Sequence, residues 1–277
     1  MSTRTIARRV RGLPASDGAG VKLTRIIGQR ALEMLDPFLL LDEFGSDAAT
    51  DYIAGFPNHP HRGFETVTYM LEGRMRHRDN AGNEGLLESG SVQWMTAGRG
   101  IVHSEMPEQD HGLMRGFQLW VNLPAADKMT APRYQDIAPS MIPSAEPVEG
   151  VRVRVVAGDA FGARGPVSGI ATEPVYLDVD LQAGAQVSIP LPENHNAFAY
   201  VFEGEGVRVG DEQLARGELA VLSAGDSVAL AADGKSARVL VVAGKPLNEP
   251  VAKYGPFVMN TPEQIVQAIQ DFQSGNF

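Results

Sequence analysis

Two short histidine motifs carry the side chains best suited to binding a metal ion. His59-Pro60-His61 and His103-Ser104-Glu105 each place two such side chains two residues apart. Residues i and i+2 of an extended strand point to the same face, so each pair can reach one ion. If the two strands are neighbours, three imidazoles and one carboxylate converge. The pattern predicts a metal site built from His59, His61, His103 and Glu105.

Glu65 leaves the fourth ligand open, because on a continuous strand it would share the face of His59 and His61. It could replace Glu105, hydrogen-bond a ligating imidazole from behind, or be an ordinary edge carboxylate. The other histidines have no such pattern: His77 lies among charged residues, His111 in a predicted loop, and His195 has no histidine or carboxylate two residues away.

The ligand types narrow the choice of metal. The chain has no cysteine, which excludes disulfide, iron–sulfur and thiolate-zinc chemistry. Nitrogen and oxygen ligands suit Fe, Mn, Co, Ni, Cu or Zn. Four protein ligands on an octahedral ion leave two positions open, as oxygen-activating iron sites require, whereas a tetrahedral zinc site would be closed.

The segments around these motifs predict an all-β protein. Turn signals such as Asn80-Ala81-Gly82-Asn83 and Ala232-Asp233-Gly234 separate short runs rich in β-branched and aromatic residues, a spacing typical of sandwiches and barrels. One helix is expected near the C-terminus, where Thr261 and Gln264 form a capping box before an apolar stripe. The strands predicted most clearly are Val67–Leu71, Ser91–Met95, Phe117–Val121, Val151–Val156 and Arg238–Val242.

An internal repeat indicates two duplicated domains. Tyr69-Met70-Leu71-Glu72-Gly73 recurs as Tyr200-Val201-Phe202-Glu203-Gly204, and the stretch from Gly90 to Gly98 recurs from Gly217 to Gly225. A proline-bearing segment separates the halves, so the expected domains are 1–137 and 151–277 with a linker at 138–150. At the repeat offsets, Pro190, Pro192, Leu230 and Ala232 replace the four ligands. Only the first domain is therefore expected to hold metal.

Longer motifs resemble the pirin family of the cupin superfamily. They are the stretches 56–66 around His59 and His61, 93–106 around His103 and Glu105, 118–123, and 255–261 before the helix. The resemblance covers essentially the whole chain. It implies two tandem cupin domains, which are jelly-roll β-barrels, and one metal ion, Fe(II), held in the first domain by His59, His61, His103 and Glu105.

Three functions follow as expectations. The first is a quercetin 2,3-dioxygenase-like enzyme, which some bacterial pirins resemble, with O₂ as co-substrate. In this function Glu105 would be the catalytic base. Trp94, Trp120 and Phe56 would either form an aromatic wall of the substrate site or pack in the core. The second, from other pirins, is an iron-dependent redox-sensing regulator of a transcription factor or metabolic enzyme. The third is sugar-phosphate isomerisation, with Arg62 and Arg99 as phosphate clamp. We favour the enzyme.

The net charge of −10 argues against direct binding of nucleic acid. Arg4, Arg8, Arg9 and Arg11 form a local exception, which we interpret as a solvated edge strand or tail. The sequence has no run of 18 or more apolar residues and no signal-peptide pattern at its N-terminus. We expect a cytoplasmic monomer without a membrane partner.

Overall fold

Antiparallel β-strands make up most of the structure, a computed structural model that describes residues 2–277. The first strands are β1 (Thr3–Arg4), β2 (Ile6–Arg11), β3 (Leu13–Asp17), β4 (Val21–Ile27), β5 (Phe38–Ser46), β6 (Phe56–His61), β7 (Phe64–Glu72), β8 (Met75–Asp79), β9 (Glu84–Leu87), β10 (Val92–Thr96), β11 (Ile101–Pro107), β12 (Met114–Asn122) and β13 (Arg133–Ile137). They are followed by β14 (Ser144–Ala145), β15 (Val151–Ala157), β16 (Asp159–Ala160), β17 (Ala163–Arg164), β18 (Val175–Leu181), β19 (Gln186–Pro190), β20 (Asn196–Glu203), β21 (Gly206–Val209), β22 (Glu212–Ala215), β23 (Glu218–Leu222), β24 (Ser227–Ala231), β25 (Ala237–Gly244), β26 (Ala252–Tyr254), β27 (Phe257–Met259) and the helix α1 (Pro262–Gln273). The predicted all-β fold with one short C-terminal helix is confirmed.

The chain divides into two units. The first unit comprises Leu13–Gln29, Phe38–Pro139 and Leu247–Phe277, and the second comprises the segment ending at Gly12, Arg30–Pro37 and Ser140–Pro246. This division differs from the predicted boundaries at both ends, since the chain's first strands belong to the second unit and its helix to the first. The predicted linker is also partly structured, because β14 within it pairs with β15.

The first unit contains the two histidine motifs. A seven-stranded sheet has the order β13-β10-β7-β12-β5-β4-β3, and a four-stranded sheet has the order β6-β11-β8-β9. Several polar side chains are buried among these strands, including Glu65, Thr68 and Glu105. Because a buried polar group must find hydrogen-bond partners, this interior is arranged around specific polar contacts.

The second unit has a contrasting, aliphatic interior. Its seven-stranded sheet has the order β14-β15-β18-β25-β20-β23-β2, beside a smaller sheet in which β24 pairs with β1, β19 and β21. Alternation along β15 buries Val151, Val153 and Val155, as a strand with one core-facing side requires. Leu230 and Ala232, the repeat counterparts of His103 and Glu105, belong to the same apolar cluster.

The predicted duplication is visible in the strand register. In the first unit Val92 of β10 lies opposite Tyr69 of β7, and in the second Leu219 of β23 lies opposite Tyr200 of β20. These are the residue pairs that the repeat aligns. The glycines that follow both tyrosine strands, Gly73 and Gly204, have φ values of 92° and 82°, a region that L side chains rarely adopt.

The arginine-rich N-terminal segment is only partly solvated. β2 is the edge strand of its sheet, and Arg8, Arg9 and Arg11 are exposed as predicted. Arg4 is instead buried and donates to the backbone oxygens of Ser223, Pro192 and His195. The solvated interpretation was therefore wrong for Arg4, whose guanidinium donates to three backbone carbonyl groups.

The C-terminal helix begins as predicted. Thr261 accepts from the Gln264 backbone N–H, and the Gln264 side chain accepts from the Thr261 N–H, which completes the capping box. Ile265 and Ala268 are buried against the β26–β27 hairpin, whereas Phe272 at the end of the predicted stripe is partly exposed. No helix within residues 2–277 is long and apolar enough to cross a membrane.

Candidate metal centre

The two histidine motifs lie on neighbouring antiparallel strands. β6 carries His59 and His61, β11 carries His103 and Glu105, and His103 lies directly opposite His59 in the register. Side chains that face each other across an antiparallel pair project from the same side of the sheet. The i, i+2 spacing within β6 then brings His61 to that side as well.

The three imidazoles form one cluster. One ring nitrogen from each of His59, His61 and His103 can be chosen so that all three lie within 4.8 Å of one another. The Nε2 atoms of His59 and His61 are 3.0 Å apart, and the His59 and His103 ring centroids are 4.4 Å apart. His61 and His103 are buried and His59 is partly exposed, so the cluster is open on one side.

The donor set fits a divalent metal ion. Burial, reinforced by neighbouring imidazoles, holds the pKa of both His61 and His103 well below the usual histidine range. Both rings are therefore neutral at neutral pH, which is the form that binds metals. His103 Nε2 is also buried without a hydrogen-bond partner, as expected of a nitrogen reserved for a ligand.

Glu105 lies beside this cluster, but neither of its carboxylate oxygens belongs to the group of mutually close ligand atoms. A register shift between His103 and Glu105 places Glu105 opposite Phe56 of β6. The buried carboxylate accepts hydrogen bonds from Thr68 Oγ1 at 3.0 Å and from Gln118 Nε2 at 2.9 Å. Three of the four predicted ligands thus come together, and a coordinating role for Glu105 stays a prediction.

His77 is a member of the site that the sequence interpretation missed. It lies on β8 opposite Glu105 of β11, is buried, and places its Nδ1 3.2 Å from Nδ1 of His103. Metal-binding imidazoles commonly use their second nitrogen in such a contact, which fixes the orientation of the ring. The sequence did carry a signal for the burial of His77, because His77 lies two residues after the apolar Met75 and therefore on the same face of β8. The charged neighbours Arg76 and Arg78 made the segment look like an exposed strand end.

Glu65 does not join the cluster. β6 ends at His61, and a turn at Gly63 with φ of 87° separates it from β7, so the assumed continuous strand parity fails. Burial raises the pKa of Glu65, and its Oε1 accepts a 2.7 Å hydrogen bond from Thr96. Of the other two histidines, His111 is almost fully exposed beside Asp110, and His195 contacts Glu173 O in the second unit.

A cavity of about 650 Å³ adjoins His59 and His61. Trp120 and Phe56 line it, together with Leu40 and Gln118. Trp120 lies against Phe64 and His61, with ring centroids 4.4 Å and 5.3 Å away, which restricts the indole to one orientation. Trp94 is buried and does not line the cavity. Of the two roles considered for these residues, Trp120 and Phe56 line the cavity, Phe56 also belongs to a buried apolar cluster, and Trp94 is core.

Two cationic side chains, Arg25 and Lys253, also line this cavity. Arg25 donates to both oxygens of Asp42 and to Asp17. The Lys253 ammonium lies 5.1 Å from the centre of the Trp120 ring, and burial together with the nearby Arg25 charge lowers the pKa of this lysine. Neither residue was among the sequence candidates, because β4 and β26 are distant from the motifs in sequence.

The arginines considered as a phosphate clamp do not face the cavity. Arg62 is buried, contacts Asp271 of α1 at 2.6 Å, and has its guanidinium 4.4 Å from the centre of the Phe277 ring. Arg99 is exposed, and neither arginine is among the lining residues. Arg62 and Arg99 therefore do not form a phosphate clamp next to the histidines.

Comparison with known proteins identifies relatives over the full length. A family model described as Pirin matches residues 20–121, and one described as Pirin C-terminal cupin domain matches residues 176–277. A "Pirin-like protein" of Caulobacter vibrioides is 52% identical over 278 residues, covering 100% of both chains. A Pseudomonas aeruginosa protein named "Putative quercetin 2,3-dioxygenase" is 54% identical, covering 95% of this chain and 94% of its own.

The architecture also matches a solved enzyme structure. The crystal structure of quercetin 2,3-dioxygenase from Acinetobacter baumannii superposes with a TM-score of 0.92 at 36% identity, covering 100% of this chain and 99% of that one. The predicted fold of two cupin domains is confirmed. A cupin fold with a cluster of three histidines indicates a metal ion.

Proposed function

The chain belongs to the pirin family, and we propose that it is a metal-dependent dioxygenase that opens the central ring of quercetin-like flavonols with O₂ and releases carbon monoxide. The observation that carries this proposal is the position of the histidine cluster at a cavity with an aromatic wall. His59 and His61 line a space of about 650 Å³ together with Trp120 and Phe56. Sites for small aromatic molecules commonly have this size and mostly apolar lining.

We assign Fe(II) as the ion, held by His59, His61 and His103 with Glu105 as the fourth ligand. The absence of cysteine and the imidazole-rich donor set are compatible with iron. Bound there, the ion would supply Lewis acidity toward an oxygen of the substrate. The names of the Pseudomonas and Acinetobacter relatives support the choice of a flavonol substrate.

The chain's own residues account for substrate orientation and proton transfer. The planar flavonol would lie in the space lined by Trp120 and Phe56, whose apolar surfaces would exclude water from one edge of the ring system. Glu105 would accept the proton of the flavonol 3-hydroxyl group. Thr68 and Gln118 fix the position of this carboxylate before substrate arrives.

The direct test is an aerobic assay that follows the loss of flavonol absorbance and detects carbon monoxide. Protein loaded with Fe(II) is expected to turn over quercetin, and the His59→Ala, His103→Ala double variant is expected to be inactive. His111→Ala is the matched control, since its imidazole is exposed and is not part of the cluster. Absence of turnover with Fe, Mn, Co, Ni, Cu and Zn would contradict the proposal.

A further inference from the structure

Lys253 has an unusual position at the wall of the metal-adjacent cavity. It lies on β26 with its ammonium 5.1 Å from the centre of the Trp120 ring, and Trp120 in turn contacts His61. Within residues 2–277, its Nζ takes part in no hydrogen bond or ion pair. An ammonium has three N–H donors, so this side chain retains its capacity to bind an acceptor.

The second cation of the cavity does not have this capacity. Arg25 Nη2 lies 2.7 Å from Asp42 Oδ2 and 2.8 Å from Asp17 Oδ2, and its Nε lies 3.0 Å from Asp42 Oδ1. The donors of Arg25 are therefore engaged by two carboxylates, and the same carboxylates attract the Lys253 ammonium at longer range without accepting a hydrogen bond from it. Among residues 2–277, Asp17 is the only acidic residue that lines the cavity, and its carboxylate is engaged by Arg25. Within residues 2–277, Lys253 is thus the cation of this wall whose N–H donors can still bind a ligand.

The remaining wall determines what can approach Lys253. Leu40, Phe56 and Pro57 line the cavity with Trp120, and Pro256 lies close to Lys253 in the chain. Since the ammonium already covers one face of the indole, a ligand ring would pack against the Phe56 and Leu40 side. A group on the far edge of that ring can then reach the ammonium while the near edge faces the histidines.

We propose that Lys253 binds an anionic group, a carboxylate or phenolate, carried by the planar aromatic ligand on the ring remote from the metal centre. This proposal rests on the proposed function, because it specifies which members of the flavonol class the same cavity prefers. A charge-assisted contact discriminates against an uncharged isostere of the same shape. Because Lys253 remains accessible to solvent, we expect a preference of roughly threefold to tenfold rather than several orders of magnitude.

Anaerobic calorimetry with Fe(II)-loaded protein tests the preference without turnover. The probes are 3-hydroxyflavone bearing a 4′-carboxylate, a 4′-hydroxyl or a 4′-carboxamide, with the last as the neutral isostere. The pH is set above the pKa of the 4′-hydroxyl in one series and below it in another, which separates carboxylate from phenolate as the source of charge. Wild-type protein should bind the carboxylate, or the ionised phenol, more tightly than the carboxamide.

Three variants assign the effect to one residue. Lys253→Met should abolish the preference, and Lys253→Arg should retain most of it. Lys22→Met is the matched control, since Lys22 is an exposed lysine of the same unit that pairs with Asp51 and does not line the cavity. It should leave the preference unchanged.

Equal binding of the charged and neutral probes by the wild-type protein, or an unchanged preference in Lys253→Met, would overturn this inference. Turnover of unsubstituted 3-hydroxyflavone under air tests the proposed function separately. A protein that turns over the neutral flavonol without preferring the charged probes keeps its function and loses this inference. A protein that shows the Lys253-dependent preference without turning over the neutral flavonol keeps this inference and loses the proposed function.

Discussion

The Gln118 side-chain amide lies 2.9 Å from Oε2 and 3.2 Å from Oε1 of Glu105, so one donor group contacts both oxygens of a buried carboxylate. Gln118 also lines the cavity beside the histidines. It therefore connects the space expected to receive substrate with the group expected to receive the substrate's proton. The Thr68 hydroxyl adds a second donor to Oε1, which leaves the carboxylate oriented before any ligand binds.

Glu105→Gln is expected to lower the turnover rate far more than it lowers metal content. The amide oxygen can still accept a hydrogen bond or bind an ion, but the amide cannot take up a proton. Loss of a positioned base reduces rates on the order of 10²–10⁴. Parallel measurements of kcat and bound iron check this, with Glu108→Gln, an exposed glutamate paired with Arg76, as the charge-matched control. A variant whose activity and iron fall in equal proportion would indicate a purely ligating role.

His77→Phe should weaken metal binding without removing a ligand. The substitution keeps an aromatic ring beside Tyr134 but deletes the Nδ1 atom that lies 3.2 Å from His103 Nδ1. Loss of such an orienting contact typically costs about 10–100-fold in metal affinity. Competition with a chromophoric chelator, using Co(II), measures the change, and His111→Phe serves as control. An affinity equal to that of the wild type would rule out the orienting role.

Lys128→Met should destabilise the first unit. The buried Lys128 Nζ lies 2.8 Å from Gly63 O, 2.7 Å from Asn122 Oδ1 and 3.0 Å from Val258 O, so each ammonium N–H meets an oxygen. Methionine fills similar space but leaves these acceptors without their donor. We expect a loss of roughly 3 kcal/mol in the free energy of unfolding. Urea titration measures it, and a change within the error of the exposed control Lys235→Met would contradict the expectation.

The metal-free protein should lose stability as the pH falls below 6.5. The folded-state pKa values of His61 and His103 lie well below the ordinary value of 6.5, so the unfolded chain binds more protons in this range. The free energy of unfolding therefore rises with pH up to about 6.5. Above that pH, the stabilising contribution of the two neutral histidines has reached its full value. Urea titrations at several pH values compare the wild type with His103→Leu, which should show a shallower dependence. Identical slopes for the two proteins would show that His103 does not contribute.

The sequence predicted the strand pattern and the histidine cluster because both depend on local periodicity. The i, i+2 spacing of His59 and His61 needs only an extended backbone, and the capping box at Thr261 needs only four residues. The equivalent strand pairing of Tyr69 and Tyr200 could also be predicted, because the repeat is visible in the sequence without any information on packing.

Features that depend on distant segments were not predictable in this way. Lys253 reaches the cavity because β26 belongs to the first unit, although the repeat placed it in the second. The register shift next to Glu105 depends on how β11 pairs with β6. The turn at Gly63 interrupts the strand, so Glu65 does not share the face of His59 and His61 as a continuous strand would require. Arg4 was misjudged because its partners lie about 190 to 220 residues away in the chain.

The measurement that tests the central claim most directly is the metal content of the wild type and the His59→Ala, His103→Ala double variant. Both proteins are loaded anaerobically with Fe(II), desalted and analysed for bound metal, with His111→Ala as control. The account predicts one ion per chain in the wild type and the control, and almost none in the double variant. A folded double variant that retains its full complement of metal would contradict the assignment of the site.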